Sequence, residues 1–200
     1  CPLVCFDRLR SPFLASTPIS PASLFAPKPG PAKYRKLCTD CGLSRMKSAE
    51  LCGQACQFIA PDYPQMEGQV HGAYKPQPDT AFFGQYLAMH RAKLRAPLEG
   101  AQWTGVTTKL AEQLLAKGAV DAVLTVAPYP ADRWKPMPVL VTKPEDMADV
   151  RGMRMGYAPL LSLLEPAAEA GHKNIAIIGI PTVFQFVFIF NQNSIAFHFR

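Results

Sequence analysis

Four cysteines lie close together in the first third of the chain, with the spacing C-x2-C-x10-C-x3-C. They are Cys38, Cys41, Cys52 and Cys56. Four thiolates so close in sequence form a soft ligand set, which selects zinc or an iron–sulfur cluster. Gly42 follows the second cysteine and permits a tight turn that can direct backbone amides at ligated sulfurs. The segment is therefore predicted to bind a metal, and its spacing alone slightly favours zinc.

Composition limits the remaining classes of protein. The chain has 200 residues, of which 48% are hydrophobic and 18% charged. That is enough for one domain or two small ones with a buried core. Residues 1–36 contain six Lys or Arg and one acidic residue, so they hold +5 of the net charge of +6. Since the remainder is nearly neutral, we predict no nucleic-acid partner.

Residues 1–31 are rich in Ser, Ala and Pro and poor in acidic residues. This composition is typical of an organelle transit segment or of a disordered leader, and a plain flexible tail explains it equally well. The chain opens on Cys1 rather than Met, which suggests a fragment. Paired thiols at metal-binding spacing favour a reducing compartment over a secreted disulfide scaffold.

The hydrophobic pattern predicts an α/β domain with a mixed sheet, because strands alternate with helices. Predicted strands cover 119–126, 138–142 and 174–180, and predicted helices cover 55–59, 82–94, 106–117, 144–150 and 158–170. Residues 61–80 and 127–136 are predicted to be loops. The apolar stretch around 175–190 is too short for a membrane span and is interrupted by Pro181 and Gln185, so we predict no transmembrane segment.

A glycine-bounded turn precedes the helix predicted at 106–117. A helix N-terminus with close backbone approach suits a phosphate group, and nearby hydroxyls can add donors. The candidate residues are Gly100, Gln102, Trp103, Thr104, Gly105, Thr107 and Thr108. The alternative is an ordinary helix start, with Trp103 simply packing.

Two arginines and one histidine are further candidates. Arg151 and Arg154 flank Gly152, and their guanidinium groups suit either a phosphate or a substrate carboxylate; a solvated helix end is the alternative. His71, in a segment predicted to be a loop, is a candidate proton donor to the substrate or flavin contact. The alternative for His71 is an ordinary hydrogen bond within the loop.

Four motifs together resemble a known family. They are CTDCG (38–42), ACQFI with VHG (55–59 and 70–72), EGAQWTGVTT (99–108), and RGMRMGYAPLLSLLEPA with IAIIGIP (151–167 and 175–181). They resemble the coenzyme F420 hydrogenase/dehydrogenase beta-subunit family, within it the ferredoxin-dependent 8-vinyl reductases of chlorophyll biosynthesis and their sister branch, the 7-hydroxymethyl chlorophyll a reductases. The resemblance covers about residues 32–181.

The resemblance implies cofactors and partners. It implies FAD at the turn before the 106–117 helix and 4Fe-4S clusters on the cysteines, which reverses the preference for zinc. It also implies electrons from reduced ferredoxin, a tetrapyrrole substrate and, with the leader, a chloroplast location. The expected activity is reduction of the 8-vinyl group of a divinyl (proto)chlorophyllide. Alternatives are 7-hydroxymethyl chlorophyll a reduction, an F420-linked beta subunit, a zinc-stabilised binding module or an inactive truncated product.

The resemblance also implies the domain plan and exposes departures from it. We expect a leader (1–31), a Cys-rich cluster-binding region (32–80) packed on a mixed α/β flavin-binding layer (81–181), and a non-native tail (182–200). The family's first motif continues as C-x2-C-G-x-C, whereas this chain has Ser44 at the third position. Thr182 stands where the family has a cysteine, so the remaining cysteines suffice for one cluster at most.

Overall fold

A mixed four-stranded sheet in the order β1-β4-β2-β3 lies at the centre of the structure. The computed structural model describes residues 3–5, 38–47, 49, 52–56, 58–59, 63–72, 80–102, 104–154 and 156–179. The strands are β1 Leu3–Cys5, β2 Ala122–Tyr129, β3 Asp132–Val141 and β4 Ile175–Ile178. Strand β2 runs parallel to β4 and antiparallel to β3, and β1 runs antiparallel to β4. The predicted α/β class with a mixed sheet is confirmed.

Five α-helices surround this sheet in the described part of the chain. They are α1 Cys52–Ala55, α2 Tyr63–His71, α3 Thr80–Phe83, α4 Val106–Ala116 and α5 Leu164–Glu169, with 3-10 turns at Leu43–Arg45, Glu145–Ala148 and Leu160–Leu163. Helix α4 is the predicted 106–117 helix: it begins after Gly105 and is followed by Gly118 at φ 64°. A left-handed glycine after the last turn is a common helix C-terminus.

The helix predicted at 55–59 is instead α1, which spans Cys52–Ala55 and ends where the prediction begins. Three further predicted elements are wrong. Helix α3 ends at Phe83, and no helix continues to residue 94, because Gly84 adopts φ 71° and Phe82 and Leu87 remain exposed without a core to pack against. Residues 63–71 form a helix rather than a loop, because Pro64 falls in its first turn, where proline is tolerated.

The third error is the loop predicted at 127–136, which is a hairpin. Strand β2 extends to Tyr129, and strand β3 begins at Asp132. The pairing register of the two strands shifts between Pro128 and Tyr129. Strand β3 carries two prolines and lies at the edge of the sheet, where proline removes no ladder hydrogen bond if its position faces outward. A segment rich in proline is therefore a strand here, although it was predicted to be a loop.

Each face of the sheet has its own core. On one face Leu124 and Ile177 pack with the segment 160–167, and the cysteine region joins this core through Leu43 and Cys52. On the other face Val123 and Ala176 pack against α4 and the 145–148 turn. Because side chains alternate along a strand, the continuous apolar runs of β2 and β4 serve both faces. The cysteine region and α4 consequently lie on opposite faces of the sheet.

The start of β4 is held by one carboxylate. The side chain of Asp121 accepts hydrogen bonds from the backbone amides of Lys173 (2.7 Å) and Asn174 (2.9 Å), and its own amide donates to the Asn174 carbonyl (2.7 Å). We expect Asp121→Ala to lower the free energy of unfolding by about 1–2 kcal/mol, since two bonds to a charged acceptor are lost at a solvent-exposed position. Urea denaturation measures this. Asp121→Asn keeps an acceptor oxygen and is the control; equal stability of the two variants would contradict the role of these bonds.

Several predictions lie outside the described residues. Residues 3–5 of the predicted leader form β1, and the rest of the leader and the tail at 182–200 are not described. The leader and the tail therefore stay predictions. Among the helices in the described part of the chain, none has the length and apolar character needed to cross a membrane.

Candidate functional site

A cavity of about 410 Å³ opens where the parallel pairing of β2 and β4 ends. The last paired residues are Leu124 and Ile177, and the residues that follow them, Thr125 and Ile178, line the cavity. Ligands of α/β proteins bind in the crevice at the carboxyl ends of parallel strands, and a cavity of this size suits a small molecule or part of a cofactor. The position in the fold therefore marks a ligand site.

The N-terminus of α4 forms one wall of this cavity. Gly105 precedes the helix with φ 79°, no side chain caps the helix, and Val106, Thr107 and Thr108 line the cavity. The first-turn amides of a helix have no intrahelical acceptors, and the helix dipole is positive at this end. Two threonine hydroxyls add donors, so the wall suits an anionic group such as a phosphate.

The position of Gly105 leaves little room for a side chain. A Cβ atom there would lie 2.9 Å from Ala101 Cβ and 3.1 Å from Leu98 Cβ, in a backbone conformation that favours glycine. Any side chain at this position consequently disturbs the approach to α4 itself.

The 151–157 loop forms a second, cationic wall. Arg154 lines the cavity and donates from its Nη atoms to the carbonyls of Met153 (2.9 Å) and Arg151 (3.1 Å). Arg151 Nη1 donates to the Glu99 carbonyl at 3.2 Å, which ties the loop to the turn before α4. The Nε atoms of both arginines are buried without a hydrogen-bond partner in the described structure. Buried unpaired donors are costly, so the positive group of Arg154, which lines the cavity, favours an anionic ligand there.

Most of the residues predicted for phosphate binding come together at this cavity. Those lining it are Gln102, Thr104, Gly105, Thr107, Thr108 and Arg154. Gly100 and Arg151 do not line it but lie behind it: a Cβ on Gly152 would be 3.3 Å from the Gly100 carbonyl oxygen. His71 ends α2, is half-buried and does not line the cavity, and Trp103 lies outside the described residues.

The residues that the sheet contributes to the cavity were not among the predicted site residues. Thr125, a buried polar residue of β2, and Gly179, which follows β4, both line the cavity. The available signal was the carboxyl ends of the predicted strands 119–126 and 174–180, because such ends border ligand crevices in α/β folds.

The four cysteines form a second feature, beside the cavity. The pKa of the Cys41 thiol is raised to about 11, mainly by burial and to a smaller extent by the thiols of Cys52, Cys38 and Cys56. Burial also raises the pKa of Cys52, with added effects from Cys38 and Cys56. In the described ranges, however, no group of three or more His, Cys, Asp or Glu side chains is arranged to hold a metal ion.

The loop between the first two cysteines is tightly constrained. Asp40 adopts φ 53°, its amide donates to Cys38 Sγ at 3.4 Å, and its carboxylate pairs with the Arg45 guanidinium. That bond to Asp40 raises the pKa of Arg45. An amide directed at sulfur is a donor that a ligated thiolate uses, so the chemistry of the loop fits a thiolate-bound metal. The protons of Cys41 and Cys52 would have to be displaced on binding.

Cys41 belongs to both features. It is one of the four clustered thiols, and it also lines the cavity together with α4 and Arg154. Its carbonyl accepts a hydrogen bond from the Leu161 amide at 2.9 Å, which fixes the cysteine loop to the core segment 160–164. A group bound by the cysteines would therefore adjoin a ligand in the cavity.

Comparison with known proteins relates part of this site to a family model. Residues 89–165 match the model of the coenzyme F420 hydrogenase/dehydrogenase beta subunit, N-terminal domain. The match includes α4, β2, β3 and the 151–157 loop, and the resemblance inferred from the sequence motifs is confirmed.

Similar proteins from three organisms extend this result. The chain is 35% identical over 152 residues to an uncharacterised protein of Nostoc sp., covering 75% of this chain and 38% of that protein. It is 34% identical over 147 residues to the chloroplastic 7-hydroxymethyl chlorophyll a reductase of Oryza sativa, covering 72% of this chain and 31% of that protein. It is 32% identical over 82 residues to one of the subunits of the F420H2 dehydrogenase of Methanosarcina mazei, covering 41% of this chain and 23% of that protein. The chain thus spans about a third of the length of the first two relatives.

One solved structure is also similar in sequence. It is the F420-reducing [NiFe] hydrogenase complex of Methanosarcina barkeri, 29% identical over a match that covers 36% of this chain and 25% of that chain. The TM-score of 0.35 is too low to establish a shared arrangement of elements.

Proposed function

We propose that this chain is part of a ferredoxin-dependent flavin and iron–sulfur oxidoreductase of chlorophyll metabolism. The observation that carries the proposal is the position of Cys41, which lines the same cavity as the α4 N-terminus and Arg154. A redox group on the cysteines would then adjoin a cofactor in the cavity. The family match at residues 89–165 supports an oxidoreductase, and the Oryza relative's name supports a tetrapyrrole substrate and a plastid location.

FAD is the cofactor that we propose for the cavity. Its pyrophosphate would bind at Thr107, Thr108 and the first-turn amides of α4, and Arg154 would neutralise its charge. Arg151 holds Arg154 and the Glu99 carbonyl in place. The partly apolar lining, which includes Val126 and Leu160, would exclude water from the ring system. FAD would supply two-electron chemistry, and the protein orients it.

A 4Fe-4S cluster is the metal group that we propose for Cys38, Cys41, Cys52 and Cys56. Such a cluster supplies one-electron transfer and is held by thiolates. The fold anchors this segment through Leu43, Cys52 and Ala55 in the core, so the ligands are carried on packed backbone. A structural zinc ion is the alternative that the thiol set also fits.

The reaction that we propose is reduction of the 8-vinyl group of a divinyl (proto)chlorophyllide to an ethyl group. This consumes two electrons, one from each of two reduced ferredoxins, and two protons. The second candidate is reduction of a 7-hydroxymethyl group to methyl, which consumes the same electrons and protons and releases water. The name of the Oryza relative favours this second candidate. His71 does not line the cavity, so a role as proton donor would need its helix to move.

The decisive experiment supplies the full-length protein with reduced ferredoxin and each of the two pigments under anaerobic conditions. Product masses and absorption spectra distinguish vinyl reduction from loss of the hydroxyl group. Conversion of the 7-hydroxymethyl pigment alone would replace the first candidate by the second. Conversion of neither pigment, with FAD and iron both bound, would refute the proposed pathway.

FAD binding is tested separately by Arg154→Gln. We expect at least a roughly tenfold weaker affinity for FAD, because one cationic partner of the phosphates is lost at a partly buried site. Quenching of flavin fluorescence on titration measures this. Arg133→Gln is the control, since Arg133 is exposed and does not line the cavity. Equal FAD affinity in wild type and Arg154→Gln would remove Arg154 from the site.

A further inference from the structure

Two large side chains line the cavity and yet remain open to solvent. Met153 is 54% exposed and Tyr157 is 57% exposed, and both belong to the cavity wall. Among the exposed large apolar side chains of the described ranges, these two are the ones that line the cavity. Deeper lining residues such as Met147 and Leu160 are buried in the two cores. Met153 and Tyr157 therefore form the mouth of the cavity.

The chemistry of the mouth differs from that of the phosphate walls. Met153 and Tyr157 contribute a thioether and a phenol ring, whereas the α4 N-terminus and Arg154 present positive potential. A methionine thioether and a tyrosine ring offer polarizable, flat contacts that suit an aromatic ring system. Exposed apolar surface beside a cavity also marks a binding site more often than isolated apolar residues do.

The loop that carries these side chains is held by its backbone. Gly152 and Gly156 adopt φ 91° and 139°, conformations that other residues rarely take. A Cβ on Gly156 would lie 3.3 Å from the Pro136 ring, so the loop packs closely on β3. The Met153 carbonyl accepts a bond from Arg154. Residues 153 and 157 are thus presented from a constrained loop, which lowers the entropy cost of binding.

We propose that Met153 and Tyr157 form the platform on which the planar tetrapyrrole ring of the substrate stacks, at the mouth of the cavity. This proposal rests on the proposed function, because the substrate class comes from there. The ring would lie against the mouth while the cavity interior holds the flavin, so the reducible substituent would face inward. Met153 and Tyr157 are substrate-binding residues in this arrangement, and neither contacts the flavin phosphates.

The test uses metal-free protoporphyrin IX as the probe and the 200-residue chain as the protein. Porphyrin absorption and fluorescence are titrated against wild type, Tyr157→Ala, Met153→Ala and Tyr157→Phe, and FAD is titrated in parallel. We expect Tyr157→Ala and Met153→Ala each to weaken porphyrin binding about five- to tenfold, the value of one lost ring contact. Tyr157→Phe keeps the ring and should bind as wild type does. FAD affinity should fall less than porphyrin affinity in the two alanine variants, because the mouth lies apart from the phosphate-binding walls.

The control is Phe82→Ala, which removes an exposed aromatic side chain that does not line the cavity. It should bind porphyrin as wild type does. The platform would be overturned if wild type did not bind porphyrin, or if Phe82→Ala weakened porphyrin binding as much as Tyr157→Ala does. It would also be overturned if Tyr157→Ala weakened FAD binding and left porphyrin binding unchanged. Wild type that binds porphyrin through Tyr157 but binds no FAD would support the platform and refute the flavin proposal, so the two failures are distinguishable.

Discussion

Replacing Gly42 with alanine should prevent the cysteine region from packing on the sheet. A Cβ at this position would lie 2.5 Å from the Ser162 nitrogen, 2.7 Å from the Pro159 oxygen and 2.8 Å from the Leu161 nitrogen. All three are backbone atoms of a buried segment, which cannot rotate away as a side chain would. Gly42 also has φ 103°, where a side chain adds strain.

The expected loss for Gly42→Ala is therefore more than about 3 kcal/mol of unfolding free energy, at the high end for single substitutions. Chemical denaturation of the metal-free chain measures it. Gly53→Ala is the matched control in the same region: Gly53 lies in α1, and a Cβ there meets no atom within 4 Å. That variant should keep or slightly raise stability, since alanine favours a helix. Equal stability of the two variants would contradict the close packing of Gly42.

Replacing Cys41 with serine should abolish most of the visible absorption of the anaerobically purified protein. A serine hydroxyl is a poor ligand for iron beside three thiolates, and a cluster that lacks one ligand is easily lost. Iron and sulfide assays, with the absorption spectrum, measure the effect. Cys38→Ser, Cys52→Ser and Cys56→Ser should behave alike.

Cys5→Ser is the control for this series, since Cys5 lies in β1, outside the four-cysteine motif. It should keep the wild-type spectrum. Stoichiometric zinc without iron in the wild-type protein would instead establish the zinc alternative. An unaltered brown protein in Cys41→Ser would remove Cys41 from the ligand set.

The long apolar and amphipathic elements were predictable from the sequence. Helix α4 has apolar residues at helical spacing between two glycines, and β4 is an apolar run followed by Gly179, so local pattern and tertiary structure agree. The candidate phosphate-binding residues at the start of α4 also line the cavity because they are close in sequence, and one helix end places them together.

The hairpin and the helices around residues 63–94 were not predictable in the same way. The apolar residues at 82–87 have helical spacing, but Phe82 and Leu87 find no core, so the pattern lacked the packing that normally stabilises a helix. The prolines of β3 argued for a loop, and only its position at the sheet edge makes them compatible with a strand.

The chemical groups of this protein follow from its sequence alone: four thiols at metal-binding spacing, a glycine-led helix start and two arginines beside glycines. Their relation was decided by the tertiary structure. Cys41 and Arg154 are far apart in the chain, yet they line one cavity. This happens because the parallel pairing of β2 with β4 opens the crevice, and the Leu161–Cys41 hydrogen bond ties the cysteine loop beside it. Spacing along a chain specifies ligands and helix ends, whereas proximity between distant segments depends on strand order and packing.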